Sequence, residues 1–189
     1  MRATATARSP FWTFLPIVVI PVLSHLVIVA TNHVRLSLHP SLGGLFKLGV
    51  VGFSALTHWG IYTSLLVGFG FTLRPGREPL ISGMARRMNG PLTAEVAAYT
   101  RKVTIAWSLF FAAQLSLSVL LFCFAPLTIW SFFVNILDFP LVVAMFAAEY
   151  AVRLRCLSDP PRHSAAMIFA MIAQAIPSKH KQVLIEPER

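Results

Sequence analysis

Residues 103–137 carry no charged side chain, and nothing else constrains this chain as strongly. As one continuous helix the stretch would run about 52 Å, too long for a hydrocarbon core about 30 Å thick. It has to fold back inside a membrane. The segment FAPLT, 124–128, supplies the turn: proline is poorly tolerated inside a helix and well tolerated at its start. The expected result is a helical hairpin with spans at about 103–125 and 127–151.

The rest of the chain fits the same solvent. Of its 189 residues 56% are hydrophobic and 12% charged, about half the charged share of an ordinary soluble domain. Residues 11–30, FWTFLPIVVIPVLSHLVIVA, follow Arg2 and Arg8 in the manner of a signal peptide. The apolar run is too long for a signal core and no small-x-small cleavage site follows it. It is expected to be an uncleaved first span, bent at Pro16 and Pro21 where neighbouring helices accommodate the prolines. A second apolar region, 42–73, is interrupted by Lys47 and by THWG at 57–60. It reads as a single span at about 48–73 with a membrane-surface lead-in, Lys47 snorkelling to the interface. The alternative is two short segments broken near Gly60, which would make five spans. Cys123 falls in a span and Cys156 in the tail, so no structural disulfide is expected.

The predicted fold class is therefore an all-α integral membrane protein with about four transmembrane helices. A bundle of residues 1–155 precedes a tail of residues 156–189. Its orientation follows from charge, because lysine and arginine flanking spans mark the cytoplasmic side. The connector 74–102 holds Arg74, Arg77, Arg86, Arg87, Arg101 and Lys102 against Glu78 and Glu95, and the residues after 151 hold six more cations. The first connector has one arginine and the Pro126 turn none. Four spans place both termini, the connector and the tail in the cytoplasm of a bacterial inner membrane. Within the connector, RPG is a turn signal. Residues 78–88 set Leu80, Ile81, Met84 and Met88 opposite the arginines, as in a short amphipathic helix on the inner leaflet. NGP ends that helix and Thr93 is the expected N-cap of the next. A second amphipathic segment is expected at 164–176 in the tail.

TLRPGREPLI, YTRKVTIAWSLFF, WSFFVN and MFAAEYAVR, spread over about residues 57–155, resemble a family of small bacterial inner-membrane proteins. Its members are encoded beside fatty-acid-synthase-like genes, including clusters for aryl polyenes of the xanthomonadin type. The resemblance implies a setting in assembly or export of an acyl or polyene lipid, with acyl carrier proteins nearby. It implies no reaction. Asp138 stands where an uncharged residue is expected, so no role is carried over to it.

Asp138 is also the most informative single residue. A carboxylate near the middle of a span costs about 2.5–3.5 kcal/mol on insertion scales, so it should turn into the bundle. Asn135 shares its helix face, and His25, His58 and Gln114 are possible partners from other spans. The group would be a polar pocket or proton-relay site, or a polar packing contact between helices, or a broken helix would place Asp138 near the surface. Glu149 and Arg153 are spaced for a helical ion pair at the inner end of the fourth span. Glu149 could instead meet Arg101 or Arg74. The two histidines lack metal-ligand spacing, and no cofactor, phosphate-loop or nucleophile motif is present.

The basic connector is explained by topology alone, or it docks anionic lipid headgroups or an acidic partner such as an acyl carrier protein. A nucleic acid is not an expected partner. The leading functional expectation is a non-catalytic accessory or scaffold protein of acyl or aryl polyene lipid biosynthesis, working with other subunits or as an oligomer. The alternatives are a subunit of a small lipid transporter that uses Asp138, and a membrane-embedded acyl-processing enzyme.

Overall fold

A computed structural model describes residues 11–32 and 41–157. Arg2, Arg8 and the predicted tail segment 164–176 lie outside these residues. Every element among them is helical: α1 (Phe11–Ala30), α2 (Leu42–Thr72), α3 (Leu80–Asn89), α4 (Ala94–Phe124), α5 (Leu127–Phe132) and α6 (Asp138–Cys156). A single π-helical turn, Phe133–Leu137, joins α5 to α6 without a break.

Local chemistry sets the boundaries. Ser41 caps α2, its Oγ accepting from the Gly44 N–H at 3.2 Å, and Thr93 caps α4 by accepting from Val96 at 3.3 Å. The RPG turn closes with the Arg77 N–H donating to the Arg74 carbonyl at 3.1 Å. Gly76 at φ 79° supplies the positive angle that a type II turn needs at its third residue. Gly90, also at φ 79°, ends α3. Pro126 stands at the N-cap of α5, so α4 and the α5–α6 helix form the predicted hairpin. The expected alternative break near Gly60 is absent, since α2 runs through it unbroken for 31 residues, about 46 Å.

Among the described residues, three helices are long and apolar enough to cross a membrane: Leu42–Thr72, Ala94–Phe124 and the continuous Leu127–Cys156. α1 contributes a further apolar stretch, Val18–Ala30. Less than a third of each long span is buried, and the outward side chains include Phe53, Leu56, Leu109 and Phe139. An apolar exterior of that extent suits lipid and not water. These helices point to a membrane protein.

The interior has two apolar centres. Ile28, Val51, Ala55, Trp130, Phe133 and Val134 join α1, α2 and the α5–π segment. Tyr62, Tyr99, Val103, Trp107, Phe111 and Leu157 join α2, α4 and the end of α6. The buried positions on α2 (Gly44, Lys47, Val51, Ser54, Ala55, His58 and Tyr62) follow the three-and-four spacing of one helix face. α6 behaves differently: none of its residues is buried.

Lys47 departs from the expectation that it snorkels to the interface. Only 4% exposed, it turns inward, and its Nζ donates to the Thr31 carbonyl at 3.0 Å. The carbonyls at a helix C-terminus lack intrahelical donors and carry partial negative charge, so a cation is well placed there. Lys47→Met, which keeps the stem and removes the donor, is expected to cost about 1–2 kcal/mol. Reversible unfolding in mixed micelles checks this.

Candidate functional site

The intramembrane polar residues gather into separate groups. Asp138 begins α6, immediately after the π-turn, and its N–H donates back to the Phe133 carbonyl. The wider turn lies just before Pro140, which has no N–H to offer the Ile136 carbonyl. π-turns of this kind are frequent at functional sites because they re-aim the side chains that follow.

Here the re-aimed group is a carboxyl. Asp138 Oδ1 accepts from the Tyr62 hydroxyl at 2.5 Å and from the Gln114 Nε2 at 3.2 Å. Its Oδ2 lies 4.0 Å from His58 Nδ1. One residue on α6 thus ties together two on α2 and one on α4. The cluster sits where the two apolar centres meet: the His58 ring stands 4.5 Å from Tyr62 and 6.2 Å from Phe133, and Tyr62 stands 5.9 Å from Phe111.

The other predicted polar residues belong elsewhere. Asn135 donates to Ser131 Oγ at 3.2 Å, and His25 Nδ1 shares the same hydroxyl at 3.0 Å. The π-turn separates the side chains of Asn135 and Asp138 that regular helix spacing places side by side. A third polar knot lies at Ser118, whose Oγ accepts from the indole N–H of both Trp59, at 3.0 Å, and Trp130, at 3.1 Å. Tyr62, Ser118 and Ser131 carry these groups, and sequence reasoning did not select them. The i, i+4 spacing of His58 and Tyr62 was the available signal for the first; no sequence signal distinguishes the two serines.

Glu149 and Arg153 pair as spaced, with Arg153 Nη2 at 2.7 Å and Nε at 3.0 Å from Glu149 Oε1. The Tyr99 hydroxyl donates to the same oxygen at 3.1 Å. Tyr99, and neither Arg101 nor Arg74, is therefore the contact that Glu149 makes with the start of α4.

Of the six connector cations, Arg74 and Arg77 follow α2, Arg86 and Arg87 lie on α3, and Arg101 and Lys102 lie near the start of α4. The α3 backbone is fastened to α4 by the Ile81 N–H donating to Thr104 Oγ1 at 3.3 Å, and Ser82 shares a 2.7 Å hydrogen bond with Thr100. Leu80, Ile81, Met84 and Met88 are half-buried while Arg86 and Arg87 are exposed. Arg74 and Arg77 stand 4.6 Å and 4.0 Å from the centre of the Phe71 ring, a cation–π arrangement. Arg86 pairs with Glu78, leaving Arg87, Arg101 and Lys102 as further exposed cations of the cluster. A surface cavity of about 400 Å³ opens between α3 and α4, with Arg86 and Arg101 on its wall. A second, about 430 Å³, runs between α4 and α6 along Ala98, Ala106 and Ala148, with Glu95, Lys102 and Glu149 also in its lining.

Among the described residues, no three His, Cys, Asp or Glu side chains gather to hold a metal ion. Cys123 and Cys156 are both free and exposed. Comparison with protein-family models, with curated proteins and with solved structures finds no match to this chain.

Proposed function

We propose that this chain is an accessory or scaffold protein of acyl or aryl polyene lipid biosynthesis in a bacterial inner membrane. It crosses the bilayer four times, with α1 as the first span and both termini cytoplasmic. α3 lies on the inner leaflet as an amphipathic helix, its arginines toward water. The basic corner docks an acyl carrier protein, and the apolar groove between α4 and α6 receives the acyl chain.

One observation carries the reading: Arg74, Arg77, Arg87, Arg101 and Lys102 are all exposed, just after α2, on α3 and near the start of α4. Arg101 lines the cavity of about 400 Å³, and Lys102 lines the apolar groove of about 430 Å³. Topology alone requires cations near the span ends. It does not require them beside two recesses. A carrier protein is acidic, and such a surface recognises it through charge. The aryl polyene setting rests on the resemblance of the four sequence motifs.

The test reconstitutes the chain in nanodiscs and measures binding of a bacterial acyl carrier protein. Reversing Arg74, Arg77 and Arg87 to glutamate is expected to weaken binding about tenfold or more while membrane insertion stays intact. Arg86 is left alone because it is already paired with Glu78. Unchanged binding by the inserted variant rejects the docking role.

A further inference from the structure

The cluster around Asp138 is satisfied on one side only. A polar contact whose sole task is to lock helices together saturates its donors and acceptors, because each orphan in a dry interior costs free energy. Asp138 Oδ1 fits that description, with the Tyr62 hydroxyl and Gln114 Nε2 both donating to it. Oδ2 does not: it faces His58 Nδ1 across 4.0 Å, beyond hydrogen-bond reach yet about 1 Å from it. Among the described residues the opposite ring nitrogen, His58 Nε2, is buried without a hydrogen-bond partner, and so is Ser54 Oγ one helical turn away. Ser54, His58 and Tyr62 follow one another at four-residue intervals along the buried face of α2. Exposure is graded across the pair, since the Asp138 side chain is 22% exposed and the His58 side chain 4%.

We propose that Asp138 and His58 are an intramembrane proton-exchange pair, with Tyr62 and Gln114 as its positioning residues. A small side-chain rotation closes the gap. The O–H bond at Oδ2 breaks and its electron pair stays on that oxygen, while the Nδ1 lone pair takes the proton. The carboxylate left behind is held by the two donors already on Oδ1, and return of the proton reverses each step. Of the other titratable groups near the pair, Tyr62 on α2 is a donor to the carboxyl. His25 on α1 is committed to Ser131. From α4 the neutral Gln114 faces the carboxyl, and from the α5–π segment the apolar Phe133 faces the imidazole. Aspartate and histidine in transmembrane segments serve proton relays in pumps and transporters. The site is independent of carrier-protein docking.

Two groups this close titrate as a unit, and infrared difference spectroscopy of the full chain in nanodiscs reads both. Spectra are taken over about pH 2–9, which spans the ordinary midpoints of carboxyl and imidazole groups. A carboxyl band, assigned by its loss in Asp138→Asn, and an imidazole band, assigned by its loss in His58→Gln, are expected to change with common midpoints. Asp138→Asn should also move the imidazole midpoint. Tyr62→Phe, which removes one donor and leaves both members of the pair, should shift the two bands together. If either band is silent, or if Tyr62→Phe leaves both unmoved, the cluster is a static packing contact and the proposal falls.

Discussion

Trp130→Ala is expected to lower the stability of the bundle by about 3 kcal/mol. Water-soluble cores lose roughly 3–5 kcal/mol for such a truncation. Part of that loss, the transfer of the ring from water, is missing when the unfolded reference remains in lipid. The packing part is fully present. Trp130 is 0% exposed and belongs to the apolar centre that joins α1, α2 and the α5–π segment. Its ring meets Phe122 at 5.1 Å, and its indole N–H is one of two donors to Ser118. Alanine therefore opens a cavity and also withdraws a hydrogen bond from a fully buried hydroxyl. Steric trapping or denaturant titration in bicelles measures the change. A loss below about 1 kcal/mol would mean that this centre does not hold α5 in place. Trp130→Phe, which restores most of the volume, should recover most of the loss.

The second large effect is expected at Glu149. Removing one member of a buried pair leaves an uncompensated charge and is far more costly than removing both. Glu149 and Arg153 side chains are 11% and 22% exposed, so Glu149→Leu is expected to cost on the order of 2 kcal/mol after allowance for partial access to water. It also withdraws the acceptor of the Tyr99 hydroxyl at Oε1. This link adds a polar contact between α4 and α6 to the ring contact of Trp107 with Phe146 at 4.6 Å, and α6 buries no residue of its own. The double variant Glu149→Leu/Arg153→Leu should cost less than the sum of the single changes by about 1 kcal/mol or more. Additive losses would show that the pair is solvated and that the apolar contacts of Met145 and Leu157 hold α6 instead.

Helical periodicity and charge were sufficient for much of this molecule. The uncharged run 103–137 had to become a hairpin, and Pro126 marks its turn. Thr93, Gly76 and Gly90 act within a few residues of where they stand, so their effects on helix ends follow from local rules. The Glu149–Arg153 pair lies within one helix and its spacing sufficed. Lys47 escaped that kind of reasoning, because its acceptor is the end of a different helix.

The candidate site needed the third dimension. Sequence spacing put Asn135 beside Asp138, on the premise of an unbroken α-helix. The π-turn at Phe133–Leu137 inserts one extra residue into that spacing. Asn135 consequently turns to Ser131, and Asp138 turns to Tyr62 and Gln114, which lie 76 and 24 residues away in the chain. An apolar chain and its flanking charges determine that these helices form and where they end, because those effects are local or act through the solvent. Which polar atoms meet depends on helix rotation to within a fraction of a turn. Packing among Trp130, Phe133, Tyr62 and Phe111 sets that rotation, and it exists only once the bundle has assembled.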